Sequence, residues 1–187
     1  PDSTETGLRT AALRLAESIG YDSTGTVEFV VDDKTGDYFF LEMNTRLQVE
    51  HPVTEAITGL DLVELQIRAA TSSPLGVAQD SIAFAGHAFE ARINAEDAAN
   101  DFAPQIGQVT VLDVPDSVRW DAAIELGSTI TPHYDPMIAK LIVHAATREA
   151  AIARLRYGLD RLLICGVVTN GGLHRWLIDR PEFRAGR

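Results

Sequence analysis

The 187-residue sequence predicts an α+β fold, in which small sheets are covered by helices. Two observations lead to this class. Apolar residues recur at helical spacing in residues 8–19 and again in residues 152–163. By contrast, residues 26–31 and 38–41 are short and rich in valine and aromatic residues, as strands are.

The first part of the chain predicts a helix, a hairpin and a second helix. The helix carries Leu8, Leu15 and Ile19 on one face and stops near Gly20. Residues 32–37, Asp-Asp-Lys-Thr-Gly-Asp, predict the turn between the two strands. One helical stretch is then expected from Pro52 to about Ala70.

The clearest break in the pattern is Thr-Ser-Ser-Pro-Leu-Gly at residues 71–76. We therefore expect two domains, residues 1–80 and residues 81–187. Strand-like segments dominate after the break, at residues 86–95, 107–114, 118–125 and 137–144. A helix capped by Thr147 and carrying Leu162 and Leu163 follows them, and a short helix begins near Asn170.

Composition excludes several classes of function. The net charge is −11, with 27 acidic and 16 basic residues, so a nucleic-acid partner is not expected. The sequence has no apolar run of the length that a membrane span needs, and we expect no membrane association. A single cysteine, Cys165, is typical of a reducing compartment, which predicts a cytoplasmic location.

Polar residues occupy every even position from Glu42 to Glu50, in the order Glu, Asn, Arg, Gln, Glu. If this segment is extended, these side chains share one face, because successive residues of a strand point in opposite directions. The row would then span roughly 26 Å at the usual rise per residue.

The hairpin before this row brings in another carboxylate. A symmetric turn centred on Thr35 places Glu28 opposite Glu42 on the same face of the sheet. Two facing carboxylates repel each other unless a cation lies between them. Oxygen atoms of Glu28, Glu42 and Asn44 suit Mg²⁺ or Mn²⁺. The alternative is a solvated strand face, although the apolar neighbours of Glu28 argue against simple exposure.

Three segments together resemble the biotin carboxylases, which are ATP-grasp ligases. They are FLEMNTRLQVEHPVTE at residues 40–55, GHAFEARINAED at residues 86–97 and YDPMIAKL at residues 134–141. The resemblance implies the C-terminal part of an ATP-grasp lobe, followed by the biotin carboxylase C-terminal domain, a sheet with packed helices.

The resemblance also implies a reaction and the roles of individual residues. Such enzymes use ATP to activate bicarbonate as carboxyphosphate and then carboxylate biotin. Glu28, Glu42 and Asn44 are expected to hold Mg²⁺ or Mn²⁺ against the ATP phosphates. The expected bicarbonate ligands are Arg46, Gln48 and the backbone of Val49, and Glu50 is the expected general base. Arg92 is expected to stabilise the negative oxygen of the biotin enolate.

The resemblance implies partners as well. Neither Lys34 nor Lys140 has the surroundings of a biotin attachment site, so biotin is expected on a separate carrier domain or chain. A carboxyltransferase subunit is the other expected partner, and homodimer formation is compatible with the resemblance. The family's N-terminal domain and glycine-rich lid have no counterpart in the sequence, so the chain alone is expected to be inactive.

Two other hypotheses remain at this stage. The chain could belong to another ATP-grasp ligase, such as a carbamoyl-phosphate synthetase. It could also be a non-catalytic docking module, which would have no need for Glu28 opposite Glu42 with Arg46 on the same face.

Overall fold

Helices and short strands follow one another along residues 2–187, the part of the chain that the structure, a computed structural model, describes. The helices are α1 (Asp2–Ser18), α2 (His51–Thr58), α3 (Leu62–Ala70), α4 (Arg148–Arg161), α5 (Gly171–Ile178) and α6 (Pro181–Ala185), and Gln79–Ser81 forms a 3-10 turn. The strands are β1 (Thr26–Val31), β2 (Tyr38–Asn44), β3 (His87–Asn94), β4 (Glu96–Asp97), β5 (Ala103–Pro104), β6 (Gly107–Gln108), β7 (Val111–Asp113), β8 (Arg119–Ala122), β9 (Thr129–Ile130), β10 (Met137–Ala145) and β11 (Leu163–Cys165). None of the described helices is both long enough and apolar enough to cross a membrane.

The chain divides into two compact units. The first unit contains Pro1–His51 and Leu60–Ile82, and the second contains Pro52–Gly59 and Ala83–Arg187. The predicted domains, residues 1–80 and 81–187, stay a prediction. The compact units differ from them mainly in placing most of α2 in the second unit.

The first unit is built on the antiparallel hairpin of β1 and β2. Its turn is held by the Asp32 side chain, which accepts hydrogen bonds from the amides of Lys34 at 2.7 Å and Thr35 at 3.2 Å. The helix α1 comes close to β2 at Gly7, where a Cβ atom would lie 2.9 Å from the Tyr38 hydroxyl. The predicted helix, turn and hairpin are therefore present.

The single helix predicted from Pro52 to Ala70 is wrong, because α2 and α3 are separate helices. Gly59 adopts a positive φ of 73°, which ends α2. Asp61 then starts α3 by accepting a hydrogen bond from the Glu64 amide at 2.8 Å. Gly59 and Asp61 thus separate two helices, although apolar residues continue at helical spacing through residues 52–70.

The second unit contains the hydrophobic core. Its main sheet has the order β3-β10-β8, with β10 in the centre, and α4 packs against it. Ile93, Leu141 and Leu159 are completely buried there. As predicted, Thr147 caps α4 by accepting a hydrogen bond from the Ala150 amide at 3.2 Å. The predicted helical position of Leu163 is wrong, because α4 ends at Arg161 and Leu163 begins β11.

Candidate active site

The hairpin places Glu28 directly opposite Glu42, as the sequence predicts. The pairing beyond this point differs from a symmetric hairpin, because Phe29 faces Phe40 and Leu41 is an extra residue in β2. This β-bulge lies immediately beside Glu42. Bulges redirect neighbouring side chains and are common next to functional sites.

The amide of Asn44 joins the two carboxylates. Its Nδ2 donates hydrogen bonds to Oε1 of Glu28 at 2.8 Å and to Oε1 of Glu42 at 3.2 Å. Three side chains therefore meet at one point on the hairpin, with a hydrogen-bond donor between two negative charges. A divalent cation could take the place of this donor once the amide turns its oxygen inward. Two carboxylates and one amide oxygen suit Mg²⁺ or Mn²⁺ and leave coordination positions for phosphate oxygens and water.

Arg46 continues this polar group along the chain. Its Nη2 donates to Oδ1 of Asn44 at 3.2 Å, and its Nη1 donates to Oε1 of Gln48 at 2.8 Å. The guanidinium is exposed to solvent. We call Glu28, Glu42, Asn44, Arg46 and Gln48 the polar chain, because hydrogen bonds connect both glutamates to Asn44, Asn44 to Arg46, and Arg46 to Gln48. Glu28, Glu42 and Asn44 form the acidic end of the polar chain, and Arg46 and Gln48 form its basic end.

The predicted extended row from Glu42 to Glu50 is wrong in its second half. The strand β2 ends at Asn44, and residues 45–50 form a bend and a turn. The turn is closed on the carbonyl oxygen of Gln48, which accepts from the His51 amide at 3.2 Å and lies 2.8 Å from Nδ1 of His51. His51 thus has a structural contact, and α2 begins there.

Val49 and Glu50 lie in this turn, immediately before α2. Val49 is partly buried, whereas Glu50 is exposed to solvent. Val49 directly follows Gln48, the last member of the polar chain, and Glu50 is the next residue. A carboxylate held at a helix start next to an arginine-bearing segment can accept a proton from a bound anion.

Arg92 belongs to the second compact unit, whereas the polar chain belongs to the first. It lies on β3, and its side chain is 49% exposed. Its Nε is 3.6 Å from Oε1 of Glu90, whose side chain is only 4% exposed. Arg92 therefore forms an ion pair whose carboxylate is buried.

The sequence gives no signal for a second ion pair in this unit. Arg119 Nη1 donates to Oε2 of Glu55 at 2.6 Å, although 64 residues separate them. Arg119 also binds Asp121 through Nε and Nη2, both at 2.9 Å. These bonds, first to Asp121 and then to Glu55, raise the pKa of Arg119 above its ordinary range, although partial burial opposes the shift. Arg119 therefore ties α2 to β8 as a permanent cation.

Comparison with known families assigns both halves of the chain. Residues 90–187 match the biotin carboxylase C-terminal domain, and residues 1–78 match the ATP-binding domain of the carbamoyl-phosphate synthase L chain. The two matches define the class as part of an ATP-grasp domain followed by a biotin carboxylase C-terminal domain. The chain belongs to the biotin carboxylase C-terminal domain family.

Individual relatives cover almost the whole chain. Biotin carboxylase of Haemophilus influenzae is 46% identical over 100% of the chain and 42% of its own length. The alpha subunit of mitochondrial methylcrotonoyl-CoA carboxylase of Rattus norvegicus is 47% identical over 96% of the chain. The chain spans 25% of that subunit and less than half of either relative.

A solved structure of the same kind confirms the predicted fold. It is the biotin carboxylase domain dimer of Hydrogenobacter thermophilus 2-oxoglutarate carboxylase, in complex with MgADP, ADP and bicarbonate. The TM-score is 0.90 and the sequence identity 46%, over 95% of this chain and 40% of that one. The resemblance to the biotin carboxylases is confirmed.

Proposed function

We propose that this chain forms the metal-binding and bicarbonate-binding part of a biotin carboxylase active site. The complete enzyme would use ATP to activate bicarbonate as carboxyphosphate and would then carboxylate biotin on a carrier. The observation that carries this proposal is the polar chain, with two opposed carboxylates at one end and an exposed guanidinium at the other.

The acidic end of the polar chain is proposed as the metal site. Glu28, Glu42 and Asn44 supply three oxygen ligands on one hairpin. Bound there, Mg²⁺ or Mn²⁺ would neutralise charge on the ATP phosphates. A neutral scaffold gains nothing from two opposed carboxylates, because their repulsion destabilises the hairpin.

The basic end is proposed as the bicarbonate site. Arg46 and Gln48 present a guanidinium and an amide side by side, and the backbone of Val49 follows them. A planar guanidinium pairs well with a planar oxyanion such as bicarbonate. Glu50 would accept the bicarbonate proton while a bicarbonate oxygen attacks the γ-phosphorus of ATP and ADP leaves.

The role proposed for Arg92 concerns biotin. Its half-exposed guanidinium, paired with the buried Glu90 carboxylate, would face the ureido oxygen on which negative charge develops during carboxylation. This role follows the family resemblance of residues 86–97.

Biotin is proposed to arrive on a separate carrier domain or chain, with a carboxyltransferase subunit as the onward partner. Lys140 supports the separate carrier, because its side chain is 13% exposed and lies 3.7 Å from Asp121, an unsuitable setting for biotin attachment. Homodimer formation is also proposed, since the Hydrogenobacter thermophilus relative is a dimer. The cytoplasmic location rests on Cys165 and stays a prediction, and the rat relative is mitochondrial.

The match of residues 1–78 to a carbamoyl-phosphate synthase domain raises a second candidate function, an ATP-grasp ligase that does not use biotin, although the biotin carboxylase relative covers these residues too. The two functions differ in their response to free biotin. Biotin should stimulate ATP cleavage by the full-length protein if the proposed function is right, and should have no effect in a carbamoyl-phosphate synthetase.

The test of the proposed function is the Glu50→Gln variant of the full-length carboxylase. Bicarbonate-dependent ATP cleavage should fall by about a hundredfold or more, because the variant lacks the general base. Glu17→Gln, which changes an exposed glutamate of α1, is the matched control and should keep the wild-type rate. A normal rate in Glu50→Gln would show that the base lies elsewhere.

A further inference from the structure

The outer edge of β3 is bound by side chains from the start of α5. On its inner edge β3 pairs with β10, where Arg92 faces Lys140. Within residues 2–187, β3 is the terminal strand of its sheet, so no strand pairs with its outer edge. Its backbone groups there must find other partners.

Asn170 supplies three of these partners. Its Nδ2 donates to the carbonyl oxygen of Arg92 at 3.0 Å, and its Oδ1 accepts from the Asn94 amide at 3.0 Å. Its own backbone amide donates to the carbonyl oxygen of Asn94 at 3.1 Å. His174, one helical turn further on, lies with Nε2 2.8 Å from the carbonyl oxygen of Arg92. We call Asn170 and His174 the β3 clamp.

The geometry of the clamp resembles strand pairing. In a parallel sheet, one residue donates to the carbonyl of a neighbouring residue and accepts from the amide two residues further along. The carboxamide of Asn170 makes this pair of bonds with Arg92 and Asn94. A single side chain therefore completes the edge of β3 and fixes the backbone on the C-terminal side of Arg92.

Asn170 cannot itself contact a substrate, because it is only 6% exposed. Arg92 is different, since half of its side chain reaches solvent and its Nε is 3.6 Å from Glu90. The direction in which this long side chain leaves the strand depends on the orientation of the peptide groups beside it. The clamp holds the peptide group that follows Arg92.

We propose that Asn170, assisted by His174, is a positioning residue for Arg92 in the biotin-dependent step. This inference rests on the proposed function, in which Arg92 faces biotin. The clamp and Arg92 belong to the second compact unit, whereas the polar chain belongs to the first. Loss of the clamp should therefore impair the carboxylation of biotin and spare the activation of bicarbonate.

The experiment compares two rates in the full-length carboxylase. They are bicarbonate-dependent ATP cleavage without biotin and the carboxylation of free biotin. The variants are Asn170→Ala, His174→Ala and His174→Gln, which keeps a side-chain N–H donor. Arg92→Ala is the reference for complete loss of the guanidinium. Asn100→Ala, an exposed asparagine of the same unit, is the matched control.

Asn170→Ala should lower biotin carboxylation by roughly a hundredfold, the loss expected for a misplaced catalytic group. Its rate of ATP cleavage should match that of Asn100→Ala. His174→Ala should show a smaller loss of the same kind, because Asn170 still binds the Arg92 carbonyl, and His174→Gln should recover most of it.

Several results would overturn the proposal. One is an equal loss of both rates in Asn170→Ala and in His174→Ala, which would indicate a general structural role. Another is full biotin carboxylation in both variants while Arg92→Ala is inactive. If Arg92→Ala itself carboxylates biotin normally, the role of Arg92 in the proposed function is wrong and the clamp has no catalytic consequence.

Discussion

The two compact units differ in how far their side chains are buried and in which of the proposed site residues they carry. The first unit carries the polar chain and Glu50, yet none of its described residues is buried. The second unit carries Arg92 and a continuous core around β10, with Ile93, Leu141 and Leu159 fully buried. Most of the proposed chemistry thus lies on the β1–β2 hairpin and the segment that follows it, whereas the buried core lies in the second unit.

This difference shows that the proposed site is held by local hydrogen bonds rather than by a core. The first unit orders its carboxylates through strand register, a bulge and the Asn44 amide. The same hairpin leaves Phe39, Phe40 and Leu41 more than half exposed. An apolar surface of this kind is typical of an interface that another part of a protein covers.

The largest expected effect compares one leucine from each unit. Leu141→Ala should lower the free energy of unfolding by about 2 to 5 kcal/mol, because it leaves a cavity in the centre of β10. Leu41→Ala should change it by less than about 0.5 kcal/mol, since Leu41 is 57% exposed. Urea unfolding of the 187-residue chain measures both changes in the free energy of unfolding.

The two tryptophans, Trp120 and Trp176, both belong to the second unit, so their fluorescence reports its unfolding. Far-ultraviolet circular dichroism reports both units together and should be used for Leu41→Ala. Equal losses in the two variants would contradict the contrast between a packed unit and an exposed one.

A smaller effect is expected from breaking one ion pair in each unit. Arg119→Met removes the 2.6 Å bond to the Glu55 carboxylate, whose side chain is only 8% exposed. We expect a loss of about 1 to 3 kcal/mol, because the buried Glu55 carboxylate loses a charge-assisted hydrogen bond, and Arg119 itself is partly solvated. Arg9→Met removes a 2.7 Å pair with Glu5 in which both side chains are 63% exposed, and should cost no more than about 0.5 kcal/mol.

Thermal unfolding of both variants against the wild type checks this prediction. The methionine keeps the length and much of the apolar stem of arginine, so the comparison isolates the charge. If Arg119→Met is as stable as Arg9→Met, the buried ion pair does not support the second unit.

The sequence predicted the opposed carboxylates correctly, although one of its assumptions was wrong. A symmetric turn on Thr35 would set Val31 opposite Phe39, but the structure pairs Val31 with Tyr38. The turn is asymmetric because Asp32 pairs with Asp37 and caps the turn with its side chain. The extra residue Leu41 then restores the register, so that Glu28 still faces Glu42.

What the sequence could not predict depends on contacts between distant residues. Periodicity and turn signals act over a few residues, and they located most helices and strands. They carry no information about the bond from Asn170 to Arg92, which spans 78 residues, or about the pair of Arg119 with Glu55. Both contacts depend on how α5 and β8 pack, and this is decided by the tertiary structure.

The central claim is that Glu28, Glu42 and Asn44 form a metal site on the first unit. The most direct test is a titration of the 187-residue chain with Mn²⁺, followed by electron paramagnetic resonance. The wild type should bind one Mn²⁺ saturably, and Glu42→Ala should bind it at least about tenfold more weakly, because it loses a charged ligand. Asp33→Ala, which removes an exposed carboxylate from the same hairpin, should bind Mn²⁺ like the wild type. Saturable binding that is unchanged in Glu42→Ala, or no saturable binding in the wild type, would contradict the claim.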